Sequence, residues 1–165
     1  TNLNTLSLHD ALPILKRIHM ESKKISICHC TNMRQISRKI TNIYDEFLKP
    51  SNLNVTQYSL LSNLKRVQPI KMNDFSKVVK LDRTTLVRNL KPLINLSLIE
   101  IKSIDKSKAQ LLELSQKGIE LQNEGYKYWQ KAQEYIEQTI NHAELEIFYT
   151  IVKKMESLEI PKERN

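Results

Sequence analysis

A chain of 165 residues, 40% of them apolar, is the size of one typical domain and can supply its own core. Only two glycines, Gly118 and Gly125, argue against a glycine-rich phosphate loop or a dinucleotide fingerprint, and two cysteines, Cys28 and Cys30, do not make a secreted disulfide framework. The net charge of +8 is local: residues 62–108 hold eleven Lys and Arg against four Asp and Glu, and residues 109–165 hold seven against ten. A segmental excess of this kind predicts a positive patch able to steer and hold phosphates, where a uniformly basic surface would spread it evenly. No apolar run approaches the ~20 residues of a membrane span, so a soluble, cytoplasmic protein is expected.

The N-terminal "TLSLHDALPI" resembles translated sequencing-adaptor segments and has no periodicity that continues into the neighbouring chain. Residues 1–15 are therefore set aside as non-native, with the native start expected near Met20 or just before it, and residues 16–165 are read as one domain. Met33, Ile36, Ile40, Ile43 and Phe47 recur at helical steps and predict a helix over 31–48, ended by Pro50. A second helix, about 55–66, presents Tyr58, Leu61 and Leu64 and stops before Pro69. Asn73 is the expected cap of a short third helix, with Asp74 in its first turn and Phe75, Val78 and Val79 inward. Asp82 caps the fourth. At about 100° per residue, the fourth helix places Leu86, Val87, Leu90, Leu93 and Ile94 on one arc, and Thr84, Thr85, Arg88, Asn89 and Lys91 on the other. That outer arc is cationic and hydrogen-bonding, with no acid on it. Pro92, late in the helix, removes one amide and is expected to bend the axis.

The short third helix, tight turn and polar-faced fourth helix have the size of a helix-turn-helix. Beyond them "SLIEIKSI" and "AQLLELS" alternate like strands on either side of "DKSK" and predict a two-stranded hairpin, a wing. Helical stripes come next over 115–140, with Trp129, Ala132, Ile136 and Ile140, and over 142–158, with Leu145, Phe148, Val152 and Met155. Apolar stripes at both chain ends exceed what a small winged helix can cover, and they predict a partner subunit. The fold class is thus mostly α with a small β-hairpin.

"NVTQYSLLSNL", "MNDFSKVVKLDRTTLVRNLKPLINLSLIE" and "LLELSQKGIEL" resemble, in order and spacing, the signatures of the MarR family of winged helix-turn-helix transcription regulators. The family forms are a T-x-x-Q-[YF]-x-x-L second helix, an L-D-x-[ST]-T-[LV]-[ST]-R recognition helix and an L-T-x-x-G entry into the fifth helix. The resemblance runs over about residues 28–155. It implies a winged helix-turn-helix over about 53–115, flanked by dimerisation helices over about 28–49 and 116–158, in a homodimer that binds an inverted-repeat operator in double-stranded DNA. Family wings carry Asp-x-Arg or Asp-Arg-Arg at the tip, whereas this one has Asp105, Lys106 and Lys108. Lysine holds a phosphate but cannot make the planar bidentate contact, so the wing is expected to supply affinity more than discrimination.

On this reading Arg83, Thr84, Thr85, Arg88, Asn89 and Lys91 approach bases and phosphates in the major groove, and Lys102, Lys106 and Lys108 approach the backbone or minor groove. Arg88 is the expected reader of guanine, and Asn89 can read adenine. Thr84 and Thr85 are expected on phosphates.

In "ICHCTNMR", the spacing from Cys30 to Gln57 and Tyr58 resembles that of the reactive cysteine in the hydroperoxide-sensing OhrR branch. The resemblance implies that Tyr44 binds the thiolate, although Arg34 stands where that branch has another tyrosine. A helix start and the cations Arg34 and Lys24 favour a thiolate at Cys30, with Cys28 a candidate for condensation. The alternative is that both cysteines are small buried hydrophobes at a dimer seam. Zinc is a weaker reading, since C-x-C supplies only part of a tetrahedral set and His9 falls in the excluded segment. His142, Glu144 and Glu146 form no convergent acid–base pair, and no G-x-S-x-G elbow occurs, so no enzyme, cofactor or metal is expected. The expected function is a homodimeric repressor released by an oxidant or small ligand; the alternative is a helical protein-interaction module without DNA binding.

Overall fold

The computed structural model describes residues 26–103 and 110–159. The N-terminal segment, Lys24 and the wing-tip residues Asp105, Lys106 and Lys108 lie outside the described residues. Contacts divide the chain into two units, 1–42 and 43–165.

The described part of the first unit is a helix start. Helix α1 spans His29–Leu48 and continues into the second unit. Cys28 precedes it, and its carbonyl accepts the Asn32 N–H at 3.1 Å. Asn32 closes the entry by accepting from the Ser26 N–H at 3.0 Å and donating to the Ser26 carbonyl at 2.7 Å. Such closure satisfies backbone groups that a bare helix end leaves without partners. Met33 and Ile36 of the predicted stripe are exposed.

In the second unit the elements keep the expected order: α2 (Val55–Val67), β1 (Ile70–Lys71), α3 (Met72–Val78), α4 (Arg83–Asn95), β2 (Ile99–Ser103), β3 (Gln110–Leu114), α5 (Gln116–Thr139) and α6 (His142–Glu156). A capping box starts α2: the Gln57 N–H donates to Asn54 Oδ1 at 2.9 Å, and the Asn54 N–H donates to Gln57 Oε1 at 3.0 Å. The glutamine of the second-helix signature therefore has a local structural duty. Asn73 does not cap α3. Lys71 occupies that position, without a side-chain hydrogen bond. The reason is that Ile70 and Lys71 are held as a strand, paired antiparallel with Leu112 and Leu111, so the helix begins directly at Met72. The sheet consequently has three strands in the order β1-β3-β2, one more than the predicted hairpin.

The core joins one face of α2, α3 and α4 to the sheet through Leu61, Leu64, Phe75, Leu86, Leu90 and Leu112. Helix α4 ends in a Schellman-type turn: Ser97 takes the left-handed region at φ 57°, and the Leu98 N–H donates to the Leu93 carbonyl at 2.9 Å. Helix α6 has a capping box between Asn141 and Glu144 and no buried residue. Its apolar stripe is bare, with Ile147 60% and Phe148 51% exposed.

Candidate nucleic-acid interface

Helix α4 is joined to α3 by the short turn Val79–Asp82, in which the Leu81 N–H donates to the Ser76 carbonyl at 3.0 Å. Lys80 occupies the left-handed region there, at φ 53°, and its ammonium pairs with Glu156 at 2.7 Å. This pairing holds the Glu156 carboxyl below the usual carboxylate range. The turn sets α4 by a cap: Asp82 accepts from the Thr85 N–H at 2.9 Å and from the Thr85 hydroxyl at 2.6 Å. These two bonds, the hydroxyl first, lower the Asp82 pKa, so the cap is ionised at neutral pH, where the helix N-terminus favours a negative charge.

Leu86, Leu90 and Leu93 are fully buried and fix the inward direction of α4. At about 100° per residue the opposite side falls on Thr84, Arg88 and Lys91, with Arg83 and Val87 on one flank. All five are exposed. Thr85 and Asn89 fall on the other flank and are half-buried. Two of the expected positions change accordingly. Val87, expected inward, is 46% exposed and stands at about a right angle to the centre of the leucine arc. Thr85 spends its hydroxyl on the cap. The structure thus brings Thr84, Arg88 and Lys91 together on one exposed face, with Arg83 exposed on its flank and Thr85 and Asn89 at the opposite edge.

On the wing, Lys102 is not a free cation. In the β2–β3 register it stands opposite Leu111, one diagonal from Glu113, and its ammonium is paired with that carboxylate. The pairing raises the Lys102 pKa. Glu100 stands directly opposite Glu113, so the outer face of the wing base carries two acids to one lysine. Between α4 and the sheet runs a groove of about 330 Å³, rimmed by Arg83 and Lys91 and lined also by Val87 and Ile101.

A second concavity, of about 420 Å³, is lined by Tyr44, Tyr58, Ser62, Gln122, Tyr126 and Trp129. Trp129 stacks with Tyr58 at 6.1 Å and with Tyr126 at 5.8 Å between ring centroids. Burial raises the Tyr44 and Tyr58 pKa values, so both phenols remain neutral. The Tyr44 hydroxyl donates to Gln133. Charge-based reading misses this pocket, whose lining residues carry no charge. By hydrophobic pattern its aromatic members read as core.

Cys28 and Cys30 are free and exposed, and no described residue buries either thiol. The thiol that has a donor against it is Cys28: the Thr31 hydroxyl, then the Thr31 amide, lower its pKa. No group of three or more His, Cys, Asp or Glu among the described residues is placed to hold a metal ion. No helix among them is long and apolar enough to cross a membrane.

No family model and no curated protein matches the sequence. Solved structures share its fold. BpsR of Bordetella bronchiseptica, solved to explain regulation of its DNA binding by 6-hydroxynicotinic acid, superposes with a TM-score of 0.73 at 18% identity, over 82% of this chain and 97% of its own. MepR of S. aureus, in complex with DNA, gives a TM-score of 0.71 at 18% identity, over 80% of this chain and 98% of its own. Wild-type MarR of E. coli gives 0.62 at 17% identity, over 79% and 98%. The winged helix-turn-helix fold of the MarR family, expected from the signatures, is the fold of this chain.

Proposed function

We propose, from a fold shared with MarR and with DNA-bound MepR, that this chain is a sequence-specific DNA-binding transcription regulator acting as a homodimer. The observation that carries the reading is the outward face of α4, where Thr84, Arg88 and Lys91 are exposed together, with Arg83 exposed on the flank, on a helix capped and braced by the turn before it. A helix so presented fits the major groove, with Arg88 placed to fork on to guanine O6 and N7. Phosphates are held by Arg83 and Lys91, and by Lys106 and Lys108 from the wing. The test is fluorescence anisotropy on duplex DNA over a salt series: log affinity should fall linearly with log salt. Affinity indifferent to salt would return the chain to the alternative of a protein-interaction module.

The bare faces of α6 and of the start of α1 support the homodimer. Isolated helices rarely expose Ile147, Phe148, Ile151 and Met155 together unless a second surface covers them. A two-fold dimer binds an inverted repeat with half-sites spaced by about one helical turn, ~10 bp. Sedimentation at micromolar concentration should give twice the chain mass, and Phe148→Glu should halve it.

Repression released by a ligand or an oxidant completes the reading. The pocket walled by Tyr58, Tyr126 and Trp129 suits a flat, uncharged or hydrogen-bonding effector, since its lining has hydroxyls, amides and ring faces but no charged side chain. An oxidant would act at Cys28 or Cys30, which are solvent-accessible within the chain. Tyr44 lies fourteen residues along α1 from Cys30, about 21 Å at 1.5 Å per residue, so the thiolate contact implied by the OhrR resemblance would have to form between two copies of the chain.

A further inference from the structure

Val87 is an odd choice for a helix that only has to fold. It is 46% exposed and gains little from burial, and a β-branched side chain lowers helix propensity. It lies along the same groove as Ile101, but Ile101 is itself 41% exposed, so the two do not cover each other. On its outer side Val87 has polar neighbours on α4: Arg83 and Lys91 stand four residues away on either side, Thr84 three residues before, and Arg88 directly after, while Leu90 and Ile94 lie on its inner side.

Side chains that reach base edges from a helix in the major groove recur at i, i+3, i+4 and i+7. Counted from Thr84, those positions are Thr84, Val87, Arg88 and Lys91. Three of them offer hydrogen bonds, and Val87 offers only methyl groups on a side chain stiff at χ1. Among the features of base edges in the major groove, the thymine C5-methyl is the one that takes an apolar contact in place of a hydrogen bond.

We propose that Val87 is a specificity-determining residue that selects a thymine in each half-site by packing its methyl groups against the thymine C5-methyl. The assignment rests on the reading of α4 as the element in the major groove. It gives one position of an otherwise unknown operator a chemical identity: a thymine beside the base pair read by Arg88, on the side of the wing.

The test begins with duplexes selected from a random library by the wild-type protein. Each thymine is then replaced singly by deoxyuridine, which differs only in lacking the methyl group. One thymine per half-site should weaken binding about fourfold, the value of one methyl removed from an apolar contact. Val87→Ala should bind the selected duplex with that sensitivity gone and with an unchanged salt slope, because Val87 touches no phosphate. Val87→Thr, which keeps one of the two methyl groups, should retain part of the sensitivity. Sequence-selective binding in which no thymine responds, or in which Val87→Ala keeps the full response, overturns the assignment and leaves the reading of α4 intact. Failure to bind any duplex in a salt-dependent manner overturns both.

Discussion

Gly118→Ala offers a test in which packing and helix propensity predict opposite signs. Gly118 is the third residue of α5, and propensity alone says that alanine stabilises a helix there by about 1 kcal/mol. A Cβ at this position, however, would lie 2.0 Å from the Leu98 carbonyl oxygen and 3.0 Å from its carbonyl carbon. Relief requires α5 and the start of β2 to separate by more than ~1 Å, since ordinary contact distances are ~3.5 Å or longer. Leu98 cannot yield alone: it is 1% exposed, and its N–H is bound to the Leu93 carbonyl at 2.9 Å. Separation also strains the clasp at the helix entry, where the Ser115 N–H donates to the Leu98 carbonyl at 3.1 Å and the Ser115 hydroxyl to the Ser97 carbonyl at 2.7 Å. Overpacking of this kind costs ~1–3 kcal/mol and each lost hydrogen bond about 1 kcal/mol more. Against the propensity gain, the net loss is roughly 2 kcal/mol, or a fall in Tm of about 4–8 °C for a chain of this size. Circular dichroism melts at one fixed protein concentration measure it, with Gly125→Ala as comparison. There the Cβ would meet only side-chain atoms, Tyr58 Cδ2 at 2.9 Å and Leu53 Cδ1 at 3.2 Å, which can move, so its loss should be smaller. A Gly118→Ala protein as stable as the parent, or more so, would falsify the close-approach argument.

The Asp82 cap should make the stability of α4 depend on acid. Its folded pKa is lowered, so its contribution is complete above the ordinary aspartate range and is lost as pH falls through the folded value; Asp82→Ala should lose that acid limb in pH-dependent melts, and an unchanged limb would assign it elsewhere. On the wing, Lys102→Ala should change the log–log salt slope by less than the ~0.9 of a full phosphate contact, because Glu113 already neutralises Lys102. Glu113→Gln should steepen the slope by freeing the lysine, and no change in either variant would show that the pair does not control the wing. At the N-terminal end, in a Cys30→Ser background, Cys28 should be alkylated at neutral pH faster than an ordinary thiol and should slow in Thr31→Val, since Thr31 supplies the hydroxyl that lowers its pKa. Equal rates with and without the Thr31 hydroxyl would remove it as the group that activates Cys28.

What the sequence displays is what depends on neighbours along the chain. Asp82 is readable as a cap because the amide it serves is three residues away, and the buried leucines of α2 and α4 repeat at helical steps. Most of the misreadings have non-local causes. Asn73 is as good a cap as any by its chemistry, but the pairing of Ile70 with Leu112 extends the chain up to Lys71 and leaves Asn73 inside the helix. Nothing within forty residues of Ile70 announces that pairing. Lys102 counts as a free charge until the hairpin register sets it diagonal to Glu113. Hydrophobicity alone turns Val87 inward, although it stands at about a right angle to the centre of the leucine arc. The requirement at Gly118 comes from a carbonyl twenty residues earlier, and in the sequence it is visible only as a match to a family signature.

These non-local contacts also decide which charges remain available for DNA. The segment 62–108 has a balance of +7 by count, but its lysines are not equivalent once folded. Lys77 is paired with Asp74, Lys80 with Glu156 and Lys102 with Glu113. Lys65 donates to the side chains of Gln122 and Asn123. Arg83, Arg88 and Lys91 have no ion pair among the described residues, and all three are exposed on α4. Exposed pairs are weak, and phosphates at close range can compete for their lysines; the unpaired cations of α4 have no such competitor to displace. Part of the electrostatic attraction is therefore carried by the same helix that is proposed to read bases. A protein whose pull and whose reading reside on one rigid element loses both together when that element is turned out of its groove. That is the property a small rotation between subunits needs if it is to release DNA completely.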